Sequence, residues 1–233
     1  APTVPSPEPL EESLLRTRDL RASPSPPLEV LEDNEGQAAG FQAKIESSMD
    51  PEAREAYNNA FYEYVAVGTF QELSREEANA YKGPVNYIVH HPVIKTTSQS
   101  TKVRMVSNSS LKNRKAGVSP NDLFAKGPNS LRPVIEAQVG FRSMEHIAAY
   151  DLTRAYNSVH TTARQNHVRR LLWRRKKTDP WSIYIITRMH FGDVPSAAGL
   201  EESKRLIGEA GAHICPVTSH QITLGYVDDG CCG

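Results

Sequence analysis

The sequence predicts an α+β fold behind a disordered N-terminal linker. Apolar residues recur at spacings of three and four from Gly40 to Ala80 and give way to runs of strand-formers from Tyr87 to Val106. Beyond Ile147 short apolar runs alternate with one long helical pattern, and seven of the 16 prolines crowd the first 35 positions.

Residues 1–38 hold Pro24-Ser25-Pro26-Pro27 among scattered acids and read as a linker that cannot bury a core. Residues 39–82 are helical. Ala53, Tyr57, Ala60, Phe61, Tyr64 and Val65 share one face, Asp50-Pro51-Glu52 supplies an N-cap with proline in the first turn, and Ser74-Arg75-Glu76-Glu77 opens a shorter helix with a capping-box pattern. Tyr87 to Lys95 and Lys102 to Val106 then form a hairpin around the polar segment Thr96 to Ser100. Ile147-Ala148-Ala149-Tyr150-Asp151-Leu152 reads as a strand delivering a lone carboxylate to its end. Ile183 to Ile186 reads as a further strand and Ser196 to Ala212 as a helix. Gln221-Ile222-Thr223-Leu224 reads as a strand running into Tyr226-Val227-Asp228-Asp229.

The chain has 233 residues and a formal net charge of zero, which hides a division. Positions 1–80 carry 16 acids against 6 bases, and positions 81–233 carry 11 against 21. Arg164, Arg169, Arg170, Arg174, Arg175, Lys176 and Lys177 crowd one stretch of the basic part, where Arg169, Arg170 and Arg174 are candidate nucleic-acid contacts. Leu171, Leu172 and Trp173 interrupt the stretch with residues of the buried type. No apolar segment is long enough to span a bilayer, so no membrane partner is expected. The proline-rich start is unlike a secretory signal, and the odd set Cys215, Cys231 and Cys232 suits a reducing compartment. His213, Cys215 and His220 match no paired zinc-ligand spacing, and no glycine-rich phosphate loop occurs.

The chemistry concentrates in the acids. Asp228 and Asp229 repel one another at the end of an expected strand, and Asp151 ends another, so two strands are expected each to deliver carboxylate to its end. Hard oxygen ligands of this kind suit Mg²⁺, and two such ions serve phosphoryl transfer to a hydroxyl.

Asp151-Leu152-Thr153-Arg154-Ala155-Tyr156, followed by Tyr226-Val227-Asp228-Asp229, resembles the palm of a reverse transcriptase. His90-His91-Pro92-Val93-Ile94-Lys95, Ser100 to Val106, Ser119-Pro120-Asn121-Asp122-Leu123 and Gly127-Pro128 are similar to the fingers of BEL/Pao-type long-terminal-repeat retrotransposons. Leu171-Leu172-Trp173-Arg174, Phe191-Gly192 and Ser196-Ala197 continue the order, so the resemblance runs from about Asp50 to Asp229.

The resemblance implies a right-hand polymerase with an antiparallel palm sheet flanked by helices: a helical brace over 39–82, fingers over 83–143 and palm over 144–233. It implies an RNA-directed DNA polymerase using two Mg²⁺ ions, or Mn²⁺, with Asp151, Asp228 and Asp229 catalytic and Leu152 joining them as metal ligands. Arg104 and Lys95 would hold the incoming triphosphate, Tyr156 would be the steric gate against a 2′-hydroxyl, and Phe191 and Gly192 would line the floor beneath the nascent base pair. Implied partners are an RNA or DNA template with its primer, deoxynucleoside triphosphates, and ribonuclease H, integrase and protease modules of one polyprotein, in a cytoplasmic retroelement particle or the nucleus.

Two departures stand out: Asp193 replaces an uncharged residue, and Ser107-Asn108-Ser109-Ser110 replaces an expected Phe-Asp-Ala-Ser. The chain reads as lacking the return strand after Asp229 and any thumb, which marks it as an inactive fragment. A catalytically degenerate relic that binds nucleic acid or acts as a scaffold is the second expectation.

Overall fold

The computed structural model describes residues 27–94, 103–128, 131, 133–142 and 148–232. Most of the expected linker, together with Lys95 and the hairpin turn, lies outside these residues. Part of the expected linker is packed: Leu31 is buried, and Asn34 exchanges hydrogen bonds with the main chain of Tyr87 (2.6 and 3.0 Å).

Helices α1 (Glu35–Ser48) and α2 (Pro51–Ala66) come first, and α2 starts as its sequence dictates, with Pro51 in the first turn and the Asp50 side chain accepting from Ala53 N–H at 2.7 Å. Strand β1 (Phe70–Leu73) falls inside the segment expected to be all helix. Ser74 and Glu77 form the capping box that opens α3 (Arg75–Ala80). β2 (Val89–Ile94) and β3 (Val103–Asn108) pair antiparallel from Val89 opposite Asn108 to Ile94 opposite Val103, as the hairpin pattern required. Short α4 (Pro120–Leu123) and α5 (Val134–Arg142) lead to β4 (Ala148–Asp151). After α6 (Ala163–His167), strands β5 (Arg170–Trp173) and β6 (Ser182–Ile186) join β1 in an antiparallel sheet ordered β1-β6-β5. Helices α7 (Ser196–Gly211) and α8 (Pro216–Leu224) precede β7 (Asp229–Cys232), which pairs with β4.

The described residues are thus a mixed α/β arrangement of small antiparallel sheets with helices, and no helix among them is long and apolar enough to cross a membrane. The main core lies where α2 covers the sheet and the hairpin. Phe61 meets Trp173 at 5.6 Å and Tyr184 edge-on at 4.9 Å between centroids, with Tyr57, Phe70, Ile88, Met105, Leu171 and Ile186 around them. His90 is a core residue of this cluster and no ligand: its Nδ1 meets Tyr57 Oη at 2.6 Å and its Nε2 meets the Leu172 carbonyl at 3.1 Å.

Two expectations are corrected. Gln221 to Leu224 is the end of a helix, because Pro216 opens α8 at its first turn and α8 packs closely on α7. A Cβ on Gly208 would stand 2.7 Å from Thr223 and 3.2 Å from the Ser219 carbonyl, so only glycine lets the helices approach this far. A strand does follow the acid pair: Asp229–Cys232 is β7, and it pairs with β4 and not with the 221–224 segment.

Candidate functional site

β4 and β7 run antiparallel with Ala148 opposite Cys232 and Asp151 opposite Asp229. Leu152 N–H donates to the Asp228 carbonyl at 2.8 Å and extends the pairing by one step, while the Leu152 carbonyl accepts from Ala155 N–H at 3.1 Å. Tyr226 and Asp229 exchange main-chain hydrogen bonds of 2.7 and 3.0 Å, which closes a two-residue turn over Val227 and Asp228. The backbones of Asp151, Asp228 and Asp229 are therefore adjacent. Direct cross-strand partners project to one side of a sheet, so Asp151 and Asp229 set like charges opposite each other, an arrangement that costs stability unless a cation offsets it. None of the ion pairs among the described residues involves these three carboxylates.

Backbone strain gathers at the same place. Among the described residues the non-glycine positions with left-handed φ are Arg154 (56°), three residues after Asp151, and Val227 (53°), next to Asp228. A β-branched residue rarely adopts such a conformation, and each instance costs about 1–3 kcal/mol.

Tyr156 lies in the 3₁₀ turn Ala155–Ser158 that follows Arg154. Its ring meets the exposed ring of Phe191 edge-on at 4.7 Å and 86°. Partial burial, reinforced by the nearby charges of Asp228 and Glu201, raises its phenol above the usual range. Gly192 sits at φ 98°, a conformation natural only to glycine, and a Cβ there would come within 3.0 Å of the Ser107 carbonyl. The expected aromatic gate and floor are thus neighbours of one another and of Asp228.

Arg104 is exposed on β3 opposite Val93 and forms no ion pair among the described residues. Tyr64 links it to the acids' neighbourhood, because its phenol lies within electrostatic reach of both Arg154 and Arg104; burial nevertheless dominates and raises that phenol. Lys95 lies outside the described residues.

The expected nucleic-acid contacts are placed differently. Arg169 and Arg170 are each 2% exposed. Arg169 is ion-paired to the buried Asp193 and donates to Thr161 Oγ1 at 2.8 Å, while Arg170 donates to the Ala78 carbonyl at 2.9 Å and meets His167 Nδ1 at 2.9 Å. Arg174 is bound to Glu46 at 2.7 Å and stacks over Trp181 at 4.1 Å. These guanidiniums hold the protein together, and Arg169 and Arg170 offer no surface to a phosphate. The partners Glu46 and Asp193 are remote in sequence or in register, so a local run of positive charge could not show them.

The departures prove to be connected. Ser109 Oγ donates to Asp193 Oδ1 at 2.5 Å, and Ser107 Oγ shares a hydrogen bond of 2.8 Å with His190 Nδ1. Burial pushes the His190 imidazole below its ordinary range. The hairpin root is thereby joined to the Phe191–Asp193 segment by buried polar groups.

Two residues unmarked in the sequence reading touch the turn directly. Lys204 Nζ donates to the carbonyls of Gly225 (3.0 Å) and Val227 (2.9 Å), and Glu201 Oε1 accepts from Val227 N–H (3.1 Å). The available signal was Lys204 standing in the buried stripe Ser196, Leu200, Lys204, Gly208, where a lysine has no ordinary place.

A cleft of about 670 Å³ opens on Asp151, Tyr226 and Asp229, walled by Val134, Ala137 and Arg142 of α5. Hard carboxylate oxygens on adjacent backbone positions are the donor set a Mg²⁺ ion requires, although no group of three ligating side chains is drawn together at metal distance among the described residues. No family model matches the chain, and no curated protein matches it.

Proposed function

We propose that the chain is a reverse-transcriptase domain that adds deoxynucleotides to a primer 3′-hydroxyl along an RNA or DNA template. The observation that carries this reading is Asp151 directly opposite Asp229, with Asp228 in the adjoining turn and left-handed backbone on both sides. Asp151, Asp228 and Asp229 would hold Mg²⁺, with the Leu152 carbonyl beside them, and the ions would supply positive charge for the attacking oxygen and the departing pyrophosphate.

The chain's own residues account for the remaining tasks. Tyr156, braced edge-on by Phe191, fills the space a 2′-hydroxyl would occupy and so excludes ribonucleotides by overlap. Gly192 keeps the floor free of a Cβ and lets backbone approach a base pair. Arg104, with no ion pair among the described residues, presents a planar fork suited to triphosphate oxygens. The cleft beside the acids is of a size that holds a nucleotide.

Asp151→Asn tests the reading. It should abolish primer extension while thermal unfolding stays close to that of the parent, since the side chain is exposed. Persistent extension by this variant refutes the assignment. Nucleic-acid binding without extension, by the unmodified chain and by the polyprotein the resemblance implies, would instead establish the noncatalytic alternative.

A further inference from the structure

We infer that Lys204 and Glu201 are positioning residues that hold the Tyr226–Asp229 turn in its strained conformation and thereby fix Asp228 and Asp229 opposite Asp151. The activity half of this inference rests on the polymerase reading; the structural half stands without it.

Lys204 is 4% exposed and Glu201 9%, so two charges of one helix are withdrawn from water. Such burial is costly unless the partners are fully engaged. An i,i+3 pair on a helix surface needs no further contact, yet here every hydrogen bond found for the ammonium beyond Glu201 goes to the turn. An ammonium has three protons. Lys204 gives one to Glu201 Oε1 at 2.9 Å, one to the Gly225 carbonyl and one to the Val227 carbonyl. The same Glu201 oxygen receives the Val227 N–H. Both polar groups of Val227, the residue at φ 53°, are therefore fixed by this pair. A β-branched residue leaves the left-handed region readily when nothing holds it. Release would rotate the peptide that joins Val227 to Asp228 and carry the carboxylates out of register with Asp151. Among the described residues Tyr156 is a titratable group within electrostatic reach of Glu201, and its phenol also feels Asp228 and Tyr226.

The test compares Lys204→Met and Glu201→Gln, each with and without Val227→Gly. Amide hydrogen exchange at Val227 and Asp229 provides a readout independent of activity: both single variants should lose protection there, while the amides of β5 and β6 keep theirs. In steady-state primer extension, Lys204→Met should lower kcat about 10- to 100-fold, the worth of hydrogen bonds to a charged group, with little change in the KM for nucleotide. Its half-saturating Mg²⁺ concentration should rise. Adding Val227→Gly should restore most of the lost kcat, because glycine adopts the left-handed conformation without a Cβ penalty. A purely structural lysine would not be rescued by a change at Val227. Unchanged exchange in both single variants, or absence of rescue, overturns the inference. Should the unmodified protein extend no primer, the exchange measurement alone decides: localised loss supports the pair's role, and unchanged protection refutes it. Glu201→Gln preserves side-chain volume and keeps the test decisive if Lys204→Met unfolds.

Discussion

Replacing Arg169 by Met separates an internal role for this arginine from one on nucleic acid. Arg169 and Asp193 side chains are each 2% exposed, and among the described residues the Asp193 carboxylate would keep the hydrogen bond from Ser109 Oγ at 2.5 Å and no ion pair. Leaving one member of a buried ion pair uncompensated costs about 3–5 kcal/mol. For a chain of this size each kcal/mol lowers Tm by roughly 2–4 °C, so the variant should melt roughly 6–20 °C below the parent. The double variant Arg169→Met with Asp193→Leu should recover at least half of that loss, since apolar residues of similar volume replace a buried pair at little net cost. Calorimetry or circular dichroism of the four members of the cycle gives the coupling directly. An arginine that gripped phosphate would behave otherwise: Tm would hold, and the slope of log affinity against log salt would shrink by about one unit. A Tm change under about 2 °C for the single variant refutes the internal role.

Two further outcomes are expected. Tyr156→Ala should raise ribonucleotide incorporation relative to deoxynucleotide by about 10- to 100-fold in single-nucleotide assays, the worth of one or two tenfold steps of steric penalty, and unchanged sugar discrimination would remove Tyr156 from that role. Burial lowers the His90 imidazole from its ordinary 6.5 to about 3, so between those values the unfolded chain binds a proton that the folded chain refuses. The stability linked to His90 is complete above pH 6.5 and falls on acidification by about 1.4 kcal/mol per pH unit. His167, pushed down to about 4 by burial and Arg170, adds a change of the same sign. Urea midpoints across this range should fall less steeply for His90→Gln, and parallel curves for the two proteins would contradict the argument.

The parts of the fold legible in the sequence are those whose causes are local. Asp50 and Ser74 announce the starts of two helices because a cap is a contact between residues three apart, and Ile183 to Ile186 is a strand by its own composition. Gln221 to Leu224 misled because β-branched residues there obey a packing demand set at Gly208 and a start set at Pro216. Asp151 ends a strand as its pattern suggested, but Asp229 opens one and does not end one, and that strand was hidden by its brevity and by its two glycine-flanked cysteines. The arginines failed differently. A charge run records sign but not partner, and Glu46 reaches Arg174 from 128 positions away. Lys204 was readable only as an anomaly, a cation in a buried stripe whose purpose lies on another element.

Tying Ser107 to His190 and Ser109 to Asp193 has a mechanical consequence for the hairpin. With its root also held by Gln42 against the main chain of His90, it is anchored at one end like a cantilever built into a wall. Arg104 stands three residues from the fixed point at Ser107, roughly 10 Å of strand. Its travel is bounded by that lever arm, so the reach of this guanidinium is set by the bending of a short beam and not by rotation about a hinge.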